Sequence, residues 1–190
     1  MAQKVLELSV VVPVLNEEAS IIRFLEQLEE TLREVVSSFE VIIVDDGSRD
    51  KTWPLLAEAV KTRSHLRLFR LSRNFGKDAA VSAGIAEATG QACLIMDGDF
   101  EHPLELIPQM WECFTSTNVN VVDAVKTRAP SEGWLSRLSA YTFYRLFKIL
   151  AGYDLGGHTD YKLFDQKVRL AWLDLREKNI FFRGMLEWLG

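Results

Sequence analysis

Two carboxylates separated by one residue stand out in the segment Asp97-Gly98-Asp99, directly after the apolar run QACLIM. In an extended segment residues i and i+2 point to the same side, so these carboxylates repel each other unless a cation is present. A hard divalent ion, Mg²⁺ or Mn²⁺, takes one or two carboxylates together with substrate phosphates. Glu101 and His102 could add ligands or supporting contacts. The alternative is a turn, because Asp-Gly is a common turn signal.

A second acidic segment, Asp45-Asp46-Gly47-Ser48, follows another apolar run. A carboxylate here could bond a ribose hydroxyl or a base N–H. The segment could also be a strand-to-helix turn in which Ser48 or Asp50 caps the next helix. Glu17 has the same ambiguity, since acidic residues are also favoured in the first turn of a helix.

Cations surround the segment Asn74-Phe75-Gly76, where Arg70, Arg73 and Lys77 are close in sequence. Positive side chains and the free N–H groups at the start of a helix suit an anion such as a phosphate. A solvated loop would explain the same residues.

The chemistry needs elements that bring these segments together, and the hydrophobic pattern supplies them. Apolar runs typical of strands alternate with helical patterns, which predicts a parallel, doubly wound α/β sheet. Ligands of such sheets bind at the carboxyl ends of the strands, where four consecutive strands deliver the segments above. The predicted strands are 8–15, 39–46, 66–72, 91–97 and 118–127, and the predicted helices are 18–37, 50–62, 77–88 and 104–116.

Composition narrows the functional classes. The chain has 190 residues, 48% hydrophobic and 26% charged, which is typical of one folded domain. A net charge of −5 gives no global positive field, so we expect no nucleic-acid partner. No apolar run reaches the roughly 18 residues that span a bilayer. Phosphate-loop, dinucleotide, zinc-protease and serine-hydrolase motifs are absent from the sequence. We expect Cys93 in the core and His65, His102 and His158 at the surface or in loops.

Five stretches, in this order, resemble the family 2 glycosyltransferases, and in particular their polyprenyl-phosphate branch: VVVPVLNEE, VIIVDDGSRDKT, LSRNFGKDAAVSAG, MDGDFEHP and TDYKLFD. The resemblance covers about residues 7–190. It implies the GT-A fold, a Rossmann-like, mostly parallel sheet flanked by helices. It also implies a single catalytic domain over residues 1–190, cut before a further strand, a basic loop and transmembrane helices.

The resemblance also implies roles for individual residues. Asp99 would be the firmest metal ligand, and Glu101 stands where the family usually has glutamine. Asp160 matches the acidic residue at the reacting centre, as a base or as an orienting group, and Lys162 replaces an arginine. The nucleotide and phosphate contacts would come from Pro13, Leu15, Glu17, Asp46, Lys77, Asp97, Gly98, Lys126, Arg128 and Arg137, and the metal ligands would be Asp97, Asp99 and Glu101. Lys126, Arg128 and Arg137 could equally be surface cations.

The implied activity is inverting transfer of a hexose from a nucleoside diphosphate sugar to polyprenyl (undecaprenyl) phosphate, with Mg²⁺ or Mn²⁺. UDP-glucose is the favoured donor, because RNFGKDAA and FFRGMLEWLG look most like the bacterial glucosyltransferases. Residues 134–150 carry a basic stripe on an apolar helical pattern, which fits a helix at the cytoplasmic side of the membrane or a core helix with a solvated stripe. The alternatives are a soluble transferase acting on a saccharide or protein, and a catalytically silent nucleotide-sugar-binding domain. The protein could also form homo-oligomers.

Overall fold

The computed structural model describes residues 6–125 and 158–175. Strands and helices alternate in this part of the chain as the hydrophobic pattern predicts. The strands are β1 Leu8–Val14, β2 Phe39–Asp45, β3 Leu66–Arg70, β4 Ala92–Ile95, β5 Val121–Val125 and β6 His158–Asp165. The helices are α1 Ile21–Val35, α2 Thr52–Ala59 with a 3₁₀ extension Val60–Thr62, α3 Lys77–Glu87, α4 Leu106–Ser116 and α5 Gln166–Asp174.

The described strands form one sheet in the order β3-β2-β1-β4-β6-β5. β1 pairs in parallel with β2 and β4, and β2 pairs in parallel with β3. β6 runs antiparallel to both of its neighbours, β4 and β5. The expected mostly parallel α/β sheet is therefore confirmed, although β6 was predicted only as a motif and lies between β4 and the edge strand β5.

Helices cover both faces of the sheet, so the central strands are buried on both sides, as parallel strands require. Val10 and Val12 of β1 pack in one core cluster with α1, α2 and α4. Val11 between them packs in the other cluster with α3 and α5. Cys93 lies in this second cluster, 1% exposed, as predicted. Within residues 6–125 and 158–175, no helix is both long and apolar enough to cross a membrane.

Three helix starts differ from their predicted positions. The first begins at Ile21 rather than 18, because the preceding residues form a turn in which the backbone N–H groups of Ser20 and Ile21 donate to the Glu17 carbonyl. The helix predicted from 50 begins at Thr52, and the one predicted from 104 begins at Leu106 after a turn at Pro103. The helix predicted over 77–88 is α3, which begins at Lys77 as expected.

Helix α3 approaches the sheet closely at Gly84, and this contact sets the position of the residues at its start. A Cβ atom at position 84 would overlap Cγ1 of Val11 and would lie 3.3 Å from Cγ2 of Val44. Both valines are fully buried, so neither can move aside freely. The absence of a side chain at Gly84 therefore fixes the distance between α3 and strands β1 and β2.

We predict that Gly84→Ala lowers the free energy of unfolding by about 1–3 kcal/mol, the usual cost of overpacking a core. Urea unfolding measures this change. Val11→Ala removes the overlapping methyl, so the double variant should be less destabilised than the sum of the two single variants. Simple additivity would contradict the proposed close contact.

Candidate active site at the carboxyl ends of the strands

A cavity of about 330 Å³ opens at the carboxyl ends of β1, β2 and β4. Its walls come from the last two residues of β1, from the three loops that follow these strands and from the first residue of α3. The lining residues are Pro13, Val14, Leu15, Glu17, Asp46, Lys77, Asp97, Gly98, Asp99 and Glu101. All of the nucleotide, phosphate and metal residues that the family resemblance implies within the described part of the chain are in this set.

Asp160 joins this edge because β6 is antiparallel to β4. Ile95 pairs with Lys162, so extending the register by two residues places Asp97 opposite Asp160. The pleat of β6 turns Tyr161 toward the core cluster of α1 and α4, whereas Phe164 belongs to the cluster of α3 and α5. Asp160 shares the parity of Phe164 and therefore faces the side on which α3 begins.

The ammonium of Lys77 bridges the two facing carboxylates. Its Nζ lies 2.6 Å from Oδ1 of Asp97 and 2.6 Å from Oδ2 of Asp160. Burial would lower the pKa of Lys77, but the hydrogen bonds to Asp160 and Asp97 outweigh it and raise the pKa. Lys77 is therefore protonated at neutral pH, and its positive charge offsets part of the acidic charge of the cavity.

His102 holds Asp97 from the other side, and it lies in a loop, as one of the two predicted placements had it, but it is buried rather than at the surface. His102 is 5% exposed, and its Nδ1 accepts a hydrogen bond from the backbone N–H of Asp97 at 3.0 Å. Burial lowers its pKa, in agreement with a neutral ring whose Nδ1 carries no proton. The ring stacks on Tyr161 with centroids 4.8 Å apart, and the Tyr161 hydroxyl donates to the Pro103 carbonyl. The sequence offered one signal, the expectation that His102 supports the acidic segment.

The segment 97–101 is both a turn and a wall of the cavity, so its two interpretations are compatible. The backbone N–H of Glu101 donates to Oδ1 of Asp99 at 2.9 Å, and Phe100 has a positive φ of 65°. A Cβ atom at Gly98 would lie 3.0 Å from Cγ1 of Val14, so the close backbone approach allowed by this glycine is to β1. The turn holds the carboxylates of Asp97 and Asp99 in the same cavity wall.

Asp46 binds the two backbone N–H groups that directly precede α3, a contact that the sequence did not predict. Its carboxylate accepts from the backbone N–H of Phe75 at 2.8 Å and of Gly76 at 2.9 Å. Gly47 next to it has a φ of 76°, and a Cβ there would lie 2.7 Å from the backbone carbon of Arg73, so only glycine fits. Asp46 thereby ties the loop after β2 to α3 while still lining the cavity.

Two of the three predicted anion-binding cations are engaged elsewhere. Arg70 lies 3.0 Å from Oδ2 of Asp45 and packs over the Trp53 ring, and Arg73 packs over the Phe75 ring. Lys77 is the member of the trio that lines the cavity.

The loops after β1 and β2 are bonded to each other, which determines the shape of the cavity. Ser48 does not cap α2 as one prediction had it, because its hydroxyl accepts from the backbone N–H of Asn16 at 2.8 Å. Asp50 is the polar group at the start of α2, where its carboxylate accepts from the Thr52 N–H at 3.0 Å. Glu17 receives the hydroxyl of Ser20 on its carboxylate at 2.5 Å and donates its own N–H to Thr52. Glu17 therefore acts at the start of a helix and in the cavity wall at once.

Lys162, which replaces an arginine of the resembling family, is 2% exposed and pairs with Asp123 of β5 at 2.5 Å. This ion pair links β6 to the edge strand. Half-buried His65 lies in the loop before β3, as expected, with Nε2 3.0 Å from Oε1 of Glu29. The side chain of His158 lies outside the described part of the chain. So do Lys126, Arg128, Arg137 and the predicted helix 134–150.

The oxygen donors of the cavity fit a hard divalent cation in type. Asp97, Asp99 and Glu101 share one wall. Within the described residues, no group of three or more acidic, histidine or cysteine side chains is arranged to hold a metal ion. A cage of three is not required, since Mg²⁺ usually takes one or two carboxylates, with water and substrate phosphates completing its shell. These residues could therefore hold such an ion together with a phosphate-bearing ligand.

Known proteins share this fold and sequence. The mannosyltransferase PcManGT from Pyrobaculum calidifontis, solved in complex with GDP-Man and Mn²⁺, matches with a TM-score of 0.59 at 20% identity, covering 93% of this chain and 49% of that one. The fold is thus of the GT-A type, as expected. Residues 9–169 match the family described as Glycosyl transferase family 2, and the chain belongs to that family. It is therefore a glycosyltransferase domain.

Curated relatives agree with this assignment. The uncharacterised glycosyltransferase YkcC of Bacillus subtilis is 35% identical over 186 residues, which are 97% of this chain and 57% of that protein. The prophage bactoprenol glucosyl transferase homolog of Escherichia coli K12 is 30% identical over 186 residues, 97% of this chain and 60% of that protein. The chain thus spans somewhat more than half the length of these relatives. The expected likeness to bactoprenol glucosyl transferases is confirmed.

We predict that His102→Phe, which keeps a ring against Tyr161 but loses the acceptor for the Asp97 N–H, destabilises the protein. The expected loss is about 1–3 kcal/mol of unfolding free energy, the cost of an unsatisfied polar group, measured by urea unfolding. The variant should also bind UDP with Mn²⁺ more weakly in calorimetry, because Asp97 is no longer held in the cavity wall.

The matched control is His65→Phe, which removes the contact of a half-buried histidine with Glu29. His65 precedes the amino end of β3, whereas the cavity lies at the carboxyl ends of the strands. This control should lose stability but keep the affinity for UDP with Mn²⁺. Equal affinities in the two variants would contradict the role of His102 in holding Asp97.

Proposed function

We propose that this domain transfers a hexose, with inversion, from a nucleoside diphosphate sugar to a polyprenyl phosphate at the cytoplasmic side of the cell membrane. UDP-glucose is the favoured donor and undecaprenyl phosphate the favoured acceptor. The observation that carries the proposal is the convergence of Asp97, Asp99, Lys77 and Asp160 at the cavity edge. The names of the bactoprenol glucosyl transferase relatives support the choice of acceptor.

The donor would lie in the cavity with its nucleoside toward β1 and β2. Pro13 and Leu15 supply apolar wall on which a base can pack, and Glu17 and Asp46 supply acceptors for base N–H and ribose hydroxyl groups. The diphosphate would then extend toward Lys77 and the wall of Asp97 and Asp99. Part of the acceptor capacity of Asp46 is already used by the N–H groups of Phe75 and Gly76, which fixes its orientation toward the donor.

A divalent ion, Mg²⁺ or Mn²⁺, would be held by Asp97, Asp99 and Glu101 together with the diphosphate, and when bound it neutralises charge on the leaving nucleoside diphosphate. Carboxylates such as Glu101 remain suitable ligands where the family usually has an amide. Lys77 adds a second positive charge at the same end of the cavity, next to Asp97. Stabilising the charge that develops on the leaving group is the largest contribution expected from this site.

The acceptor phosphate oxygen attacks the anomeric carbon as the bond from this carbon to the diphosphate breaks, and a single in-line displacement inverts the configuration. A phosphate monoester with a second pKa of about 6 is largely dianionic at neutral pH, so it needs little help from a general base. The carboxylate of Asp160 lies 2.6 Å from the ammonium of Lys77, and this contact holds it in place at the edge of the cavity. We therefore assign Asp160 an orienting role at the reacting centre rather than that of a strong base.

The experiment that tests this function is a donor and acceptor screen. UDP- and GDP-sugars are incubated with Mg²⁺ or Mn²⁺ and either a short polyprenyl phosphate, free saccharides or an acceptor peptide. Transfer to polyprenyl phosphate alone supports the proposal. Transfer to a saccharide or peptide would replace it with a soluble transferase, and nucleotide binding without any transfer or hydrolysis would indicate a silent binding domain.

We predict that Asp99→Ala reduces metal-dependent transfer at least about 100-fold, since a bound metal contributes several kcal/mol of transition-state stabilisation. Circular dichroism should show an intact fold, because Asp99 lies in an exposed turn. Glu58→Ala removes an exposed carboxylate on α2 and should leave transfer unchanged. Near-normal transfer by Asp99→Ala would remove Asp99 from the metal site.

A further inference from the structure

The ammonium of Lys77 is bonded to Asp97, the carboxylate that a divalent ion would need as a ligand. Its Nζ lies 2.6 Å from one oxygen of Asp97 and 2.7 Å from the other, so the ammonium straddles this carboxylate. The same Nζ lies 2.6 Å from Asp160, and the side chains of Asp97 and Asp160 are 18% and 9% exposed. This is a half-buried bridge, in which charges are screened less by solvent than at the surface.

A divalent ion at Asp97 must therefore compete with an ammonium that is already there. The ion has to take an oxygen from Lys77, and at these separations it would also be repelled by the positive charge, because Coulomb energies fall only with the inverse of distance. Asp99 belongs to the same cavity wall, but its Oδ1 already accepts the N–H of Glu101. We therefore expect the free protein to bind the metal ion weakly in the absence of nucleotide.

A diphosphate changes this balance, because Lys77 lines the cavity in which the nucleotide would lie. Phosphate oxygens are strong acceptors for a lysine ammonium, so they can draw Lys77 away from Asp97. They also carry the negative charge that offsets two neighbouring cations. Nucleotide entry would therefore free Asp97 for the metal ion, and the metal ion would in turn strengthen nucleotide binding, since such coupling is reciprocal.

We propose that Lys77 is the resident cation of the Asp97–Asp160 pair and keeps the divalent-ion affinity low until a nucleoside diphosphate enters the cavity. Each of the two ligands, metal ion and nucleotide, therefore binds more tightly when the other is already bound. This inference rests on the proposed function for the identity of the nucleotide, but its effect on the metal ion concerns the protein by itself.

The test measures two binary affinities by calorimetry. Mn²⁺ is titrated into the protein without nucleotide, and UDP is titrated without divalent ion in the presence of EDTA. We expect Lys77→Met to bind Mn²⁺ about tenfold more tightly than the unmodified chain, within the usual range of coupling between sites. The same variant should bind metal-free UDP about tenfold more weakly, because it has lost a phosphate contact.

Three further variants control the experiment. Lys77→Arg keeps the charge and should leave the Mn²⁺ affinity close to that of the unmodified chain. Lys61→Met removes an exposed lysine that pairs with Glu58 on the surface, and it should change neither affinity. Lys77→Gln is neutral but can still donate to both carboxylates, so it should bind Mn²⁺ more tightly even if Lys77→Met does not fold.

An unchanged or weaker Mn²⁺ affinity in the neutral variants overturns the proposal, because a merely structural lysine would weaken the site on removal. This outcome differs from failure of the proposed function. If no sugar is transferred to any acceptor, the function fails while the Mn²⁺ affinities still decide the role of Lys77.

Discussion

The arrangement of the site depends on one electrostatic constraint, the need to keep acidic side chains together at the edge of a sheet. Asp97 and Asp160 face each other across the β4–β6 pair, and the ammonium of Lys77 makes this possible. Three features of the fold position the residues of this bridge. Gly84 sets how near α3 lies to the sheet, Asp46 binds the N–H groups just before Lys77, and the reversed direction of β6 delivers Asp160.

The bridge also connects binding to chemistry. One end of it is the wall that would hold the diphosphate, and the other end is the carboxylate proposed to orient the reacting groups. A lysine that would move from Asp97 to a donor phosphate differs from a rigid cage of ligands, because the charges of the site would be compensated both before and after the donor arrives. The chain belongs to glycosyltransferase family 2, and in a transfer from a nucleotide sugar the leaving group is highly charged. Positive charge at this end of the cavity would stabilise such a leaving group.

Much of this architecture was predictable from the sequence, and the remainder failed for identifiable reasons. The apolar runs and the helical period of residues 21–35 predicted β1, β2, β4 and α1, because such patterns are clear in these segments. β6 was not recognised as a strand, because Asp160 and Lys162 interrupt its apolar residues and look like loop chemistry until Lys77 and Asp123 are seen beside them. The loop position of His102 and its support of the acidic segment were foreseen, but its burial was not, because the Tyr161 ring on which it stacks lies in a distant part of the sequence. Asp46 lies at the strand ends and lines the cavity, but its bonds to the residues before α3 depend on tertiary structure and have no sequence signal.

The alternation along β6 has a consequence for how this sequence can vary. Asp160 meets Lys77 on one face of the sheet, while Tyr161 packs on His102 on the other. A shift of one residue in the pairing of β6 would exchange these faces. Depending on its direction, it would present Tyr161 to the ammonium and Lys162 to the buried imidazole, or Thr159 to the ammonium and Asp160 to the imidazole. Substitutions in this strand disturb one contact at a time, whereas a single inserted or deleted residue would invert both halves of the site at once. The domain should therefore accept changes of residue type in β6 far more readily than changes in its length.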